Sequence, residues 1–394
     1  MPGIPRGVWV LGAVSMCMDL SSELVHALLP LYMATVLGAS AFLIGIIEGI
    51  AESLALVVKL FSGVLSDWFG KRKPLVLAGY GIAAISKFAF PLAPSLSWIV
   101  AARFADRVGK GIRGAPRDAL ITDITAPSIR GRSFGLRQAL DTVGAIGGPI
   151  LALAGMAWFA GQFQTVFWIA VIPAVICVTL ILFGVDEPDH KAHHDQMKMR
   201  LSDWRRLPAA FWFVVAIAAV LTLARFSEAF LLLRAQSVGF DAARAPLVMV
   251  VMSIVYAATV YPTGVAQDRG GGLYLLAGGL AALIVSDIVL ALAASPAIAL
   301  VGAGLWGLHM GLTQGLLAAL VAATAPDNLR GTAFGVFNLA SGIALLVASG
   351  VAGWLWDAYG PAFTFYAGAA FTAIAGAGLA IRHRDVRAIK SASE

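Results

Sequence analysis

Nine carboxylates and eleven basic side chains of this 394-residue chain stand within long apolar stretches or close to their ends. A charge at the middle of a membrane helix costs at least about 2.5–3.5 kcal/mol. Such groups must therefore pair with one another or line water, and together they can hold an ionised small molecule and move protons. Helical phase, about 100° per residue, sorts them. With Arg103 at the origin, Asp106, Arg107, Lys110, Arg113, Arg117 and Asp118 share an arc of about 140°, and Ser15, Asp19, Ser22, Glu23 and His26 share one face of an earlier segment. Glu48, Glu52 and Lys59 fall within about 40° of one another on a third.

The types suggest roles. Arg107 and Lys110 can hold an anionic group, with Arg103, Arg113 and Arg117 on the same stripe. Asp19, Glu23, Glu48 and Glu52 are candidate proton carriers, because burial and a nearby cation push a carboxyl in opposite directions. His26 is a candidate relay near neutral pH, or a hydrogen-bonded packing histidine. Arg137 and Asp141 stand four apart and are expected to pair, with Asp141 as a further candidate proton carrier. The competing reading is a static salt-bridge network that orders four helices. In the second half, Arg225-Phe226-Ser227-Glu228 reads as a local ion pair facing a pathway. Trp306, His309 and Gln314 read as a ligand wall or as ordinary packing. Charge and coupling are thus assigned to the first half, shape and stacking to the second.

These residues need elements to position them. The chain is 59% hydrophobic and 13% charged, with a mean hydropathy of +0.85. Soluble domains carry about a quarter charged residues, so a soluble enzyme or a nucleic-acid module is excluded. A bilayer core needs about 20 apolar residues per helix. Twelve spans are expected, near 8–36, 39–66, 74–94, 97–124, 133–156, 164–184, 208–233, 245–267, 272–293, 296–324, 332–355 and 361–381. The first carries Asp19 and Glu23, unlike a signal peptide, and is read as a retained span. Cys17 and Cys177 show no metal-site or disulfide spacing. Seventeen of the 28 basic residues lie at the termini or in alternate loops, while the opposite loops hold only Arg234 and Arg244. The positive-inside rule places both termini on the cytoplasmic side of a cell inner (plasma) membrane. The net charge of +6 is therefore topological and is no sign of nucleic acid. The polar stretch 185–207, with His190, His193 and His194, reads as a solvated linker and not a metal site.

The halves repeat. Gly63-Val-Leu-Ser-Asp67-Trp-Phe-Gly70-Lys71-Arg72 recurs as Gly264-Val-Ala-Gln-Asp268-Arg269-Gly270-Gly271, and Arg130-Gly131 with Phe134-Gly135 recurs as Arg330-Gly331 with Phe334-Gly335. The expected organisation is a six-helix bundle at 1–184, a linker at 185–207 and a second six-helix bundle at 208–394. Parallel repeats of this kind imply a pseudo-two-fold axis along the membrane normal.

The first repeat resembles the signature G-x-x-x-D-[RK]-x-G-[RK]-[RK] of the major facilitator superfamily, with Trp68 in place of the usual base. Arg107-Val-Gly-Lys110-Gly111 is similar to the family's R-x-x-Q-G element. Gly135, Gly144, Gly148 and Pro149 resemble its antiporter pattern, whose closing glycine pair is replaced by Ala152 and Leu153. The resemblance covers nearly the whole chain. It implies an all-α integral membrane protein of twelve helices in two pseudo-symmetric bundles. It also implies a conformational latch at Gly63, Asp67, Gly70 and Arg72, repeated at Asp268 and Arg269. In that latch Asp67 faces the eleventh helix and Arg72 pairs with a carboxylate such as Asp123. The fifth-helix glycines are expected to pack against the eighth helix.

No P-loop, H-E-x-x-H or G-x-S-x-G pattern occurs, which argues against a pump or an enzyme. The leading expectation is a secondary transporter, acting as one chain without cofactor or metal. It moves a small anionic or amphipathic molecule by alternating access, with proton-coupled export first. Proton-coupled uptake of an organic anion and a non-transporting sensor are the alternatives.

Overall fold

The computed structural model describes residues 3–69, 71–187, 201–313, 315–326 and 329–381. It is helical, with no strand among these residues. Six helices form the first half: α1 (Arg6–Thr35), α2 (Ala41–Phe69), α3 (Lys73–Ala89), α4 (Leu96–Asp123), α5 (Arg130–Trp158) and α6 (Phe163–Gly184). Eight follow: α7 (Ala209–Ala224), α8 (Ala229–Ser237), α9 (Leu247–Ala266), α10 (Gly272–Ala291), α11 (Pro296–Thr313), α12 (Leu316–Thr324), α13 (Arg330–Tyr359) and α14 (Pro361–Ile381). Lipid offers the backbone no hydrogen-bond partner, so long apolar runs satisfy their own peptide groups as helices.

Ten helical stretches among the described residues are long and apolar enough to cross a membrane. α7–α8 and α11–α12 each count as one of them. α3, at 17 residues, is short for that count, and α4 carries the charge stripe. With these two, the stretches correspond to the twelve expected spans. Large apolar side chains stand exposed on the outside, among them Trp158, Phe183, Tyr261 and Ile85, as a lipid-facing surface requires.

The contacts divide the chain into two compact units. One comprises Met1–Ala39, Ile50–Met197 and Asp241–Val250; the other Ser40–Gly49, Lys198–Phe240 and Val251–Glu394. Within the first, α1 packs on α5 and α6, and α3 on α4 and α6. Within the second, α7 packs on α13 and α14, and α10 on α11 and α14. This is the same pairing scheme at the corresponding positions of the repeat. The histidines of the polar stretch, at 190, 193 and 194, lie outside the described residues.

Two spans expected as single helices are interrupted, and both belong to the second unit. The seventh is non-helical from Arg225 to Glu228. The tenth breaks between α11 and α12, where Gly315 has φ +75°, a conformation that glycine adopts without the Cβ clash. The two basic residues that stood apart from the positive-inside pattern have local duties. Arg234 donates to the carbonyls of Leu290, Ala291 and Ala293 at 2.8–3.0 Å and so closes the C-terminal end of α10. Arg244 pairs with Asp241 at 3.2 Å.

α2 is shared between the units. Its first turns lie against α13, where Asp357 accepts from the backbone N–H groups of Ala41 (3.2 Å) and Phe42 (2.9 Å). These donors have no partner within their own helix, so the carboxylate caps α2 from a distant part of the sequence. Gly45, Gly49 and Gly353 allow the approach: a methyl group at Gly353 would sit 2.5 Å from the Ala41 carbonyl oxygen.

Candidate functional site

The α4 stripe is buried inside the first unit and meets charges from α2 and α3. Arg103, Asp106 and Arg107 are almost entirely excluded from solvent. Asp106 is the hub. Its Oδ1 lies 2.7 Å from Lys87 Nζ on α3, and its Oδ2 lies 3.1 Å from Arg107 and 3.9 Å from Arg103. Glu52 of α2 closes the other side, 3.0 Å from Arg107 and 3.5 Å from Arg103. Lys87 also donates to Ser22 Oγ of α1 at 3.1 Å. Four helices are thus tied by two carboxylates and three cations, which satisfies the requirement that membrane charges pair.

A second cluster lies further along α4. Arg117 bonds Asp118 at 3.0 Å and Ser15 of α1 at 2.6 Å. Arg137 of α5 pairs with Asp141 at 2.7 Å, as the four-residue spacing suggested, and approaches Asp118 at 3.9 Å. Arg113 is buried, with its guanidinium carbon 4.7 Å from the centre of the Tyr80 ring. In this conformation Arg103, Arg113 and Arg117 contact protein groups. Arg107 is likewise buried between Asp106 and Glu52.

Lys110 differs. It is exposed on the same face of α4 and makes no ion pair or hydrogen bond among the described residues. It lies within electrostatic range of Asp19, Glu23 and Glu52. Asp19, half-buried on α1, also has no ion-pair or hydrogen-bond partner among the described residues, and Lys110, Arg113, Arg117 and Asp141 are its charged neighbours. Glu23 bonds His26 Nδ1 at 3.3 Å. Glu48 is fully buried on α2.

The second unit gathers its candidates around the helix breaks. The break removes the i,i+3 helical geometry expected of Arg225 and Glu228, although the two remain in electrostatic range. Trp306 is buried and its ring centre lies 5.3 Å from that of Phe226, which in turn packs against Phe230 and Phe365. In this conformation it packs in a buried aromatic cluster. His309 is also buried, with Nδ1 2.8 Å from the Gly279 carbonyl oxygen. Gln314 lies outside the described residues.

At the end of α2, Arg72 Nε donates to Asp123 Oδ2 at 2.8 Å, the pairing that the first signature suggested, and NH1 donates to Ser66 Oγ at 2.9 Å. Glu187, which the sequence reading did not single out, receives the backbone N–H groups of Arg72 and Lys73, both at 2.7 Å. It thereby caps α3. Gly63 approaches Ala115 of α4. Gly70 and the side chains of Asp67 and Asp268 lie outside the described part, and Arg269 is exposed in the turn where Gly270 has φ +92°. Arg72→Ala is expected to lower thermal stability by about 2–3 kcal/mol, since it strands a partly buried carboxylate. Unfolding followed by tryptophan fluorescence checks this, and Asp123→Asn should cost less than Arg72→Ala.

The fifth-helix glycines face α1. A methyl group at Gly144 would sit 2.6 Å from the Met16 carbonyl oxygen, and one at Gly148 2.6 Å from Glu23 Cβ. Gly135 has open space. Pro149 is buried within the continuous α5. The close packing described here therefore seats α1, and with it Asp19 and Glu23.

A model of the Major Facilitator Superfamily matches residues 11–348 and 220–394. The chain is 30% identical over 381 residues to the uncharacterized MFS-type transporter MJ1317 of Methanocaldococcus jannaschii, covering 95% of this chain and 94% of the relative. It is 26% identical over 387 residues to the inner membrane transport protein YajR of Escherichia coli, covering 95% and 82%. Among solved structures, a POT family transporter in complex with 5-aminolevulinic acid superposes with a TM-score of 0.80 at 12% identity, covering 97% of each chain. A bacterial homolog of the human lysosomal transporter Spinster gives 0.74 at 16% identity, covering 98% and 99%. Family match, repeated bundles and charged α4 agree: the chain belongs to the major facilitator superfamily of membrane transporters.

Proposed function

We propose that this transporter moves a small organic anion or amphiphile by proton-coupled alternating access, in the cell inner (plasma) membrane with both termini cytoplasmic, as a monomer. One observation carries the reading: among the described residues Lys110 is the cation of the α4 stripe that is exposed and has no ion pair or hydrogen bond, and it stands among carboxylates. The buried network holds the helices, Lys110 receives the anionic group, and Asp19 takes the proton. Coupling follows from Coulomb's law. A proton on Asp19 removes a negative charge facing Lys110, so proton and anion bind together, which is symport and hence uptake under an inward proton gradient.

A second reading, export by antiport, has its own support. The chain is 31% identical over 145 residues, 36% of its length, to the multidrug resistance protein MdtH of Photorhabdus laumondii. A substrate with a basic end would compete with the proton for Asp19, and competition is antiport. The fifth-helix residues Gly135, Gly144, Gly148 and Pro149, which resemble the family's antiporter pattern, are in keeping with this second reading.

Reconstituted vesicles with imposed pH gradients of each sign separate the modes by the direction of substrate accumulation. Losing one charge-assisted hydrogen bond costs about 1.5–3 kcal/mol. Lys110→Ala is therefore expected to weaken anion transport at least about tenfold at normal membrane levels. Asp19→Asn should still exchange substrate but no longer respond to the gradient. Undiminished transport by Lys110→Ala sinks the anion site, and an intact gradient response in Asp19→Asn moves the proton elsewhere.

A further inference from the structure

The second unit contains a carboxyl group that neither the coupling scheme nor the packing scheme uses. Asp287 lies in α10 with no exposed surface. Neither of its carboxyl oxygens has a hydrogen-bond partner among the described residues. Its surroundings are apolar: Gly368 of α14 lies opposite, where a methyl group would sit 2.6 Å from Oδ2 and 3.1 Å from the Phe226 ring. Phe226 belongs to the cluster with Trp306, Phe230 and Phe365.

The helices around it offer no countercharge. α10, α11 and α14 together contain no lysine or arginine. The one imidazole, His309 of α11, is bonded to the carbonyl of Gly279, eight residues or about 12 Å along α10 from Asp287. Tyr366 of α14 is partly exposed. Arg234 of α8 is committed to three carbonyls at the end of α10. Arg225 and Glu228 flank the α7–α8 break and interact with each other. No ion pair among the described residues includes Asp287.

An ionised carboxylate isolated in apolar surroundings is far more costly than the neutral acid. We propose that Asp287 is a second proton-binding site of this transporter, in the opposite repeat from Asp19, and that it holds a proton in this conformation. The ligand is the proton itself: bound, it leaves α10 neutral against α14; released, it leaves a charge that only a hydrated pocket can accept. The gap at Gly368 is what admits the carboxyl, because any larger residue there would occupy the position of Oδ2. This inference does not rest on the role assigned to Asp19.

Infrared spectroscopy of the purified full-length protein at neutral pH tests it without a substrate. A protonated carboxyl C=O band is expected that shifts in heavy water, is absent in Asp287→Asn and moves in Asp287→Glu. Wild-type protein labelled with carbon-13 aspartate must show the isotope shift of the same band, so the test survives a variant that fails to fold. Absence of an isotope-sensitive protonated aspartate band, or a band unchanged in both variants, overturns the proposal. Retained gradient response in Asp19→Asn refutes only the coupling scheme of the first unit and leaves this band where it is.

Discussion

Asp106→Asn is expected to destabilise the protein more than any other single neutralisation in the first unit. Three cations converge on this carboxylate, at 2.7, 3.1 and 3.9 Å from Lys87, Arg107 and Arg103. All are buried. Removing one partner of a buried pair costs about 3–5 kcal/mol, because the charge left behind is no longer compensated. Here three charges lose compensation together, and Glu52 remains as counterion for the two arginines. Lys87→Met should be milder, since Asp106 keeps both arginines. Adding Lys87→Met to Asp106→Asn should restore part of the loss, since it removes one of the stranded cations. The expected order of thermal midpoints in detergent is wild type, Lys87→Met, the double variant, Asp106→Asn. Equal midpoints for the two single variants would show that Asp106 is not the hub.

The order of this network was not legible from the sequence. The phase argument put Arg103, Asp106, Arg107 and Lys110 on one face of α4, and that face is where the charges meet. It could not say which of them point into protein and which into solvent, because an arc of about 140° covers both. Lys87 shows the gap. Apart from Lys73 at the first position, it is the base of an otherwise largely apolar α3, a signal that some carboxylate must await it, yet its partner lies on α4 and no spacing rule connects the two. Glu187 was hidden similarly: it follows α6 in sequence but caps α3.

The spans themselves were legible because lipid imposes one rule on every residue within it. The repeat of Gly63–Arg72 at Gly264–Gly271 announced two similar bundles, and the repeated helix pairings agree. The breaks at Arg225–Glu228 and Gly315 were not legible. Both stretches keep the composition of a membrane helix, and glycine is frequent in such helices. What distinguishes Gly315 is its positive φ, which tertiary packing selects and composition does not.

Gly353→Val is expected to separate α2 from α13 and to slow transport. At this position a methyl group alone would lie 2.5 Å from the Ala41 carbonyl oxygen and 2.6 Å from Phe42 Cα. Backbone atoms cannot rotate away as a side chain can, so the helices must part. Overpacking typically costs about 1–3 kcal/mol, and parting also breaks the two hydrogen bonds that Asp357 accepts from Ala41 and Phe42. A lost helix cap costs about 1 kcal/mol, so Asp357→Ala should show the smaller version of the same effect. α2 has its first turns in one unit and the rest in the other, so displacing its start acts on an element that both units share. A bias of about 1.4 kcal/mol changes a two-state ratio tenfold; Gly353→Val should exceed that and Asp357→Ala approach it. The readout is a cysteine pair at Ile46 and Gly350, where a methyl group at Gly350 would lie 3.0 Å from Ile46 Cδ1. A short thiol cross-linker should join the pair in the parent, join it partly in Asp357→Ala and fail in Gly353→Val. Equal cross-linking in all three would show that α2 holds its place without the glycine contact or the cap, and that the approach of α2 to α13 is not an energetic constraint on the transport cycle.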